Sequence, residues 1–427
     1  MSDNKRLAGN IGAMGVLRFS QFLIPLVTMP YLARVIGVAN MGKVAAAQAI
    51  LLYLSTISEL GMSLYAPREI AVNRHDRRKI DILSTNIFAL KLITLAASYL
   101  VFLVCLFSIP KLRAEKALFF YTSLAMIPWA LLPAWFFQGI EKLWEISLSS
   151  TIGSVVNAAG IFIFIRHRSD YALVPLIFSL SLYLPLIRSI YMLRKYGYAL
   201  WLSGAASFSE MRRLARESFP LFLSNVSWFL YMRLYTPLLS FLTDDITVGY
   251  YACAEKLIIA GLQLMGIIGT VFYPHISRVI ALRRQDYRRE LKKVIGANAI
   301  FALSAWTATF FGAKTIIALI YGPEFGPAVI TLKIFSFAFL ISAFSSIAGG
   351  QILLPLGKRR EILLAELHGL AATVLALCLF LPLWQEKGAA AAFVLAMASK
   401  TAYQYWQILH QFPNLRSWRV VADKLRN

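Results

Sequence analysis

Apolar runs of about 20 residues recur along this chain from near Leu7 to near His410, and the stretches between them are mostly short. As a helix, such a run crosses the roughly 30 Å hydrocarbon core of a bilayer. Inside lipid, only helices and closed barrels satisfy their own backbone hydrogen bonds. The chain therefore reads as an all-α integral membrane protein almost throughout. Its charge content agrees, at 15% against about 25% for an ordinary soluble domain. Spans are expected at approximately residues 8 to 31, 43 to 66, 80 to 107, 117 to 137, 144 to 165, 172 to 193, 218 to 241, 247 to 276, 294 to 312, 328 to 355, 362 to 383 and 388 to 410, twelve transmembrane helices in all. The first run follows Ser2-Asp3-Asn4-Lys5-Arg6, exceeds the length of a signal h-region and lacks a small-residue cleavage site, so it is expected to stay as the first span.

A net charge of +22 would point to nucleic acid in a soluble protein, so the placement of the charges decides. With a cytoplasmic N-terminus, 27 of the 43 Lys and Arg fall in cytoplasmic segments, 9 in outer loops and 7 within spans. That bias predicts both termini in the cytoplasm. Basic loops such as Arg74-His75-Asp76-Arg77-Arg78-Lys79 then face anionic lipid headgroups, and no nucleic acid is expected as a partner.

The two halves read as copies. At a constant offset of 207, Pro30 matches Pro237, Gly42 matches Gly249, Ala45 matches Ala252, Ala47 matches Ala254 and Pro67 matches Pro274. Six spans per half give two parallel repeats: an N-terminal lobe over 1–193, an amphipathic cytoplasmic linker over 194–217, and a C-terminal lobe over 218–427 with a short basic tail. In the linker, Phe208, Met211, Leu214 and Ala215 alternate with Arg212, Arg213 and Arg216, a pattern expected of a helix lying on the inner leaflet.

Charges inside a span cost about 2.5 to 3.5 kcal/mol each and are kept mainly where they line a cavity or pair. The deep cations are Arg18, Lys91, Arg233, Lys256 and Lys400, with Arg188 and Lys333 nearer the ends, whereas the deep acids are Glu59 and Glu255, with Glu366 shallower. A cavity lined in this way attracts anions. Arg18 stands on a polar stripe with Asn10, Met14 and Gln21, and Arg233 on one with Asn225 and Phe229. Arg18, Lys91, Arg233 and Lys256 are thus candidate substrate-binding residues. Glu255 and Glu59 are candidates for coupling to an ion, H+ or Na+, because a carboxylate in a low-dielectric cavity can change charge during a transport cycle. Local pairing or snorkelling is the competing reading, strongest for Arg188 and Lys333. Pro25, Pro30, Pro128, Pro133, Pro220 and Pro237 lie in or at the ends of spans, where lost backbone hydrogen bonds permit packing kinks or hinges. Residue type alone assigns Trp129, Trp135, Phe136 and Phe137 to an interfacial aromatic belt. The three cysteines, Cys105, Cys253 and Cys378, read as small buried side chains. The five histidines are scattered, and no metal-ligand, nucleotide-binding or glycosyltransferase pattern occurs, so neither metal nor cofactor is expected.

One stretch is more specific. Trp135-Phe136-Phe137-Gln138-Gly139-Ile140-Glu141-Lys142 resembles the junction of the fourth and fifth spans in bacterial polysaccharide flippases. Tyr31-Leu32-Ala33-Arg34-Val35-Ile36-Gly37 with Met41-Gly42, and Glu59-Leu60-Gly61 with Arg68-Glu69-Ile70-Ala71, resemble that family's first two spans. Gly249-Tyr250-Tyr251-Ala252-Cys253-Ala254-Glu255-Lys256 resembles its eighth, and Tyr321-Gly322 with Phe325 the junction of its ninth and tenth. The family is the O-antigen and capsule repeat-unit flippase branch of the multidrug, oligosaccharidyl-lipid and polysaccharide exporter superfamily. The resemblance implies V-shaped lobes around a central cavity in a bacterial cytoplasmic (inner) membrane. It further implies that undecaprenyl-diphosphate-linked oligosaccharide moves from the inner to the outer leaflet by ion-coupled alternating access. Membrane lipids, and as candidate partners a polysaccharide polymerase and a chain-length regulator, go with that reading. Arg34 and Arg68 join the substrate-binding candidates because they lie in the matched motifs, as do Lys256 and Glu255.

Two other functions compete with this one. A multidrug or organic-cation antiporter of the same superfamily should carry more acids than bases in its cavity, and here bases exceed acids. A membrane polymerase or ligase of the same pathway needs a sizeable extracytoplasmic loop, and the outer loops here are short. The chain is therefore read as a transporter and not an enzyme.

Overall fold

The computed structural model describes the backbone of residues 3–198, 206–281 and 287–411, and the side chains within those ranges except for residues 3–23, 25–26, 224, 228, 267–271, 273–281, 287–288, 359 and 411. Every regular element among the described residues is helical. Eight helical runs are long and apolar enough to cross a membrane: Val27–Val72, Arg77–Ser108, Lys116–Gly139, Leu143–Phe164, Arg168–Lys195, Arg289–Ile320, Ala328–Leu353 and Arg360–His410.

The chain forms two compact units, Met1–Val226 and Ser227–Asn427. The first holds α1 (Asp3–Glu59), α2 (Met62–Val72), α3 (Arg77–Ser108), α4 (Pro110–Ala114), α5 (Lys116–Ser123), α6 (Met126–Leu131), α7 (Ala134–Gly139), α8 (Leu143–Phe164), α9 (Leu173–Lys195) and most of α10 (Phe208–Arg233). The second holds α11 (Tyr235–Leu242), α12 (Asp245–Ala281), α13 (Tyr287–Ile320), α14 (Ala328–Ser345), a π-helical turn over Ser346–Leu353, and α15 (Arg359–Gln411).

Three local features explain how this helix order departs from simple spans and loops. The loop expected over 32–42 is reduced to a kink at Gly37, at φ 76° and ψ 171°, where two helical segments of α1 meet. That combination is open essentially only to glycine. Nearby, the Asn40 Nδ2 donates both to the Ile36 carbonyl (3.0 Å) and to the Arg168 carbonyl (2.9 Å). The second break lies at Leu60 (φ 46°) and Gly61 (φ 74°), which end α1 and start α2. A Cβ on Gly61 would lie 2.8 Å from both the Phe222 nitrogen and the Ser218 carbonyl oxygen, so only glycine lets α10 pass this close. The expected span 117–137 divides into α5, α6 and α7, and Pro133, which brings no N–H, stands between the last two.

The aromatic run of α7 differs from the expectation. Trp135, Phe136 and Phe137 are buried in one cluster with Tyr65, Ile70 and Phe88, and do not form an interfacial belt. The reason is Gly139: a Cβ there would come within 2.5 Å of the Ile70 Cβ, so α7 lies directly on α2 and carries its neighbouring rings inward. Behind it, the Lys142 N–H donates to the Phe137 carbonyl (2.8 Å), with Glu141 in the left-handed region at φ 59° closing the helix end. Part of the apolar face of α10 is taken up by protein, while Phe208 at its start is exposed. Leu214 is fully buried in the same cluster, with Met211 and Ala215 packed against it, where the sequence pattern pointed to the leaflet. Residues 199–205 of the expected linker lie outside the described residues.

In the second unit, the core is aromatic. Tyr235 and Phe335 each pack on Phe393 with ring centres 5.4 Å apart, and Tyr251 packs on Phe335 at 5.3 Å. Of the cysteines, Cys253 is buried, Cys105 half-buried and Cys378 exposed.

Candidate functional site

The deep charges fall into distinct settings. In the first unit, Lys91 sits in the middle of α3, 1% exposed, and its Nζ lies 3.4 Å from Glu59 Oε1. The same ammonium donates to the Ala130 carbonyl at 3.0 Å. Ala130 stands in the last turn of α6, whose carbonyls have no intrahelical donor because the helix stops before Pro133. Glu59 is the last residue of α1, at the Leu60–Gly61 break. Two chain interruptions thus supply the two acceptors of one buried cation. Thr94, one turn along α3, clasps the same break by donating to the Ser58 carbonyl at 2.6 Å.

Arg188 is paired as well. It donates to the Glu145 carboxylate (2.8 Å), the Glu145 carbonyl (2.7 Å) and Ser149 Oγ (2.7 Å), joining α9 to α8. The Tyr196 hydroxyl donates to the other Glu145 oxygen at 2.7 Å, and that bond, with some desolvation, pushes its pKa up to about 12. Lys142 lies 3.3 Å above the Tyr196 ring centre. Lys43 meets Glu115 at 2.5 Å, and the Tyr171 hydroxyl donates to that carboxylate at 2.6 Å.

The second unit leaves its most buried charge less completely paired and closes another. Glu255 on α12 is 6% exposed; its Oε2 accepts from Thr236 Oγ1 at 3.1 Å, while its Oε1 has no hydrogen-bond partner among the described residues. The charges of Arg233, at the end of α10, and of neighbouring Lys256 both act on it. Arg233 and Lys256 are half-buried. Lys400 meets Glu366 at 2.5 Å beside the Tyr231 ring, a pair spanning 34 residues of α15 that spacing alone does not reveal.

Of the residues predicted to bind substrate, Lys91 is joined to Glu59, Arg233 and Lys256 stand around Glu255, and Arg34 and Arg68 are exposed on α1 and α2. The Arg18 side chain lies outside the described residues. Among the described residues no group of three or more His, Cys, Asp or Glu gathers as a metal site.

Bundled apolar helices that hold basic side chains within them define a polytopic membrane protein, and known structures share its fold. "Lipid II flippase MurJ, inward closed conformation" superposes with a TM-score of 0.77 at 15% identity, covering 93% of this chain and 87% of that one. An inward-facing multidrug resistance MATE family transporter of the MOP superfamily gives 0.75 at 14% identity, covering 94% and 98%. The family itself is set by sequence. The model described as "Polysaccharide biosynthesis protein" matches residues 7–280, more than half of the chain, and the chain belongs to that family. A relative from Escherichia coli (strain K12), named "Putative O-antigen transporter", is 29% identical over 405 residues, 91% of this chain and 94% of the relative. One of the same name from Shigella dysenteriae is 25% identical over 368 residues, 86% and 90% respectively.

Proposed function

We propose that this chain is a flippase that carries an undecaprenyl-diphosphate-linked oligosaccharide repeat unit from the inner to the outer leaflet of a bacterial cytoplasmic membrane. The observation that carries the reading is the match along nearly the whole chain to two relatives named for O-antigen transport. The buried bases agree in sign with a diphosphate cargo. In this reading two six-helix repeats flank a central cavity, both termini are cytoplasmic, and Arg18, Arg233 and Lys256 supply positive charge to the diphosphate. Arg34 and Arg68, exposed on α1 and α2, are assigned to its approach, and Lys91 to holding the first unit's end of the cavity. Glu255 is the proposed ion-coupling acid, since a buried carboxylate with one unpartnered oxygen is the charge most open to change; Glu59, held by Lys91, is the second candidate. The ion is H+ or Na+. A polysaccharide polymerase and a chain-length regulator are proposed partners, because the cargo must be joined to others after it crosses.

The test is translocation in proteoliposomes loaded with purified glycolipid. The parent protein should accelerate appearance of the glycolipid in the far leaflet over empty liposomes, and Arg233→Ala should lower the rate at least about tenfold. No acceleration by the parent overturns the function. For orientation, a cysteine placed at Asp76 in a cysteine-free background should be protected from an impermeant thiol reagent applied outside cells, while one at Asp244 should react.

A further inference from the structure

The first unit contains a cavity of about 350 Å³ enclosed by α1, α6, α8 and α9, which none of the charged residues discussed above lines. Its volume lies within the ~300–1,000 Å³ range of small-molecule sites. Every described side chain lining it is uncharged. One wall is a polar stripe on α8, Ser150, Ser154 and Asn157, which helical spacing puts on one face at the middle of the helix. The opposite wall is aromatic: Trp129 of α6, with Phe178 of α9 edge-on to it at 5.9 Å between ring centres.

The hydrogen-bonding capacity of this cavity is partly spent within the helices and partly free. The Ser154 hydroxyl is spent on the Ser150 carbonyl (2.9 Å), and the Ser181 hydroxyl on the Phe178 carbonyl (2.7 Å). The Asn157 Oδ1 is buried and has no partner among the described residues. A buried acceptor left in this condition costs about 1–3 kcal/mol, so it needs a reason. Beside it, Pro185 has no N–H to give the Ser181 carbonyl four residues back, and that carbonyl faces Gly153, where a Cβ would stand only 2.8 Å away. Among the described residues, the lining therefore presents acceptors, the N–H donors of the Asn157 amide, an aromatic face and no charge. Such a site suits a neutral ring that has hydroxyl donors on its rim and C–H groups on its face.

We propose that this cavity is a subsite for one uncharged sugar ring of the cargo. The inference rests on the flippase reading above. In it, the ring lies on Trp129 and donates a hydroxyl to Asn157 Oδ1. The site then selects for a glycosylated carrier over the bare one.

The experiment compares two probes on the full-length protein in nanodiscs: undecaprenyl diphosphate bearing its oligosaccharide, and undecaprenyl diphosphate without sugar. The parent should bind the glycosylated probe more tightly. Asn157→Leu should lower that affinity about tenfold, the worth of one well-placed hydrogen bond and its pocket contacts, and leave affinity for the bare carrier within about twofold. Because the substitution removes an unsatisfied buried acceptor, it should not lower the melting temperature. Ser154→Leu, which fills the cavity from the neighbouring turn and breaks no tertiary bond, should give the same split and carries the test if the first variant does not accumulate. Equal binding of the two probes by the parent, unchanged glycolipid affinity in the variants, or equal loss on both probes overturns the subsite. A parent that translocates glycolipid while the variants match it fails the subsite alone, whereas a parent that neither binds nor translocates glycolipid fails the flippase reading itself.

Discussion

The two units hold their most deeply buried charge in opposite ways, Lys91 in a closed pair and Glu255 with one oxygen uncommitted. At the offset of 207 read from the sequence, Lys91 corresponds to Asn298, Glu59 to Gly266 and Glu255 to Gln48. Where the first unit buries a lysine against a carboxylate and a helix-end carbonyl, the second buries a neutral amide, which donates to its own helix at the Val294 carbonyl (2.9 Å). Where the second unit buries an acid, the first has a half-buried neutral glutamine. The backbone differs in step with the charges. The first unit breaks at Leu60–Gly61, which puts Glu59 at a helix end within reach of Lys91, whereas α12 runs unbroken from Asp245 to Ala281 past the matching position. The lesson is that the first unit's deep charge is closed by a structural break, while the second unit's acid is held on a continuous helix with one oxygen uncommitted.

The closed pair gives the largest expected effect. Lys91→Met takes the donor from the half-buried Glu59 and from the Ala130 carbonyl, and loss of a hydrogen bond to a charged group costs about 1.5–3 kcal/mol. The purified variant should melt at a clearly lower temperature, and Lys91→Met with Glu59→Gln should recover most of the loss. If the single variant is as stable as the parent, Lys91 does not hold the break, and the contrast between the units collapses. Gly61→Ala comes next. Alanine in the left-handed region costs about 1–2 kcal/mol, and its Cβ would also meet the α10 backbone at 2.8 Å. Thermal melting should show a drop smaller than that of Lys91→Met but still well resolved.

These positions also show how far the sequence could be read. The apolar runs disclosed the membrane helices because burial in lipid demands length and hydrophobicity, and both are local properties. The prolines marked where a bend was possible but not which bends occur, since Pro133 stands at the break after α6 whereas Pro220 lies inside α10. The depth of Lys91 and Glu59 was legible from their place in apolar runs. Their pairing was not, since they stand 32 residues apart and meet only because Gly61 turns the chain. Glu366 with Lys400 and Glu145 with Arg188 were hidden in the same way, at separations of 34 and 43. Trp135, Phe136 and Phe137 misled because belt and core rings look alike in sequence. Only Gly139 marks the close approach to Ile70, and its meaning depends on what lies opposite. The neutral cavity gave no signal, because serine, asparagine and tryptophan are ordinary residues in a membrane helix.

On the unbroken helix the effects shrink and change sign. Gly266 of α12 corresponds by offset to Glu59 and is exposed, and a Cβ there would meet nothing within 4 Å. Gly266→Ala should raise stability by about 0.5–1 kcal/mol through helix propensity alone. A destabilised variant would show that α12 needs to flex at that position as α1 does at its break, and the two units would then be more alike than their backbones indicate.

Glu255→Gln should change stability least and function most selectively. The side chain keeps its shape, the amide oxygen can accept from Thr236 as the carboxylate does, and the bond lost or gained at Oε1 is one that the parent does not make among the described residues. The expected stability change is thus within about 1 kcal/mol. The charge is what changes. With Arg233 and Lys256 acting on the site, an ionised Glu255 offsets part of their attraction for a diphosphate, and a protonated one does not. An ion cycle at this residue would alternately tighten and loosen the hold on an anionic cargo. The glutamine variant fixes the neutral form, so it should bind glycolipid at least as tightly as the parent. In proteoliposomes, an imposed pH or sodium gradient should speed flipping by the parent and have no effect on the variant. The discriminating result is a melted-together pair of controls: equal stability of the two proteins, with a gradient response in the parent alone, locates coupling in the second unit. If the variant answers the gradient as strongly as the parent does, the uncommitted oxygen of Glu255 is not the coupling group. The break-held Glu59 of the first unit then takes its place, and Glu59→Gln in the same liposomes becomes the measurement that decides.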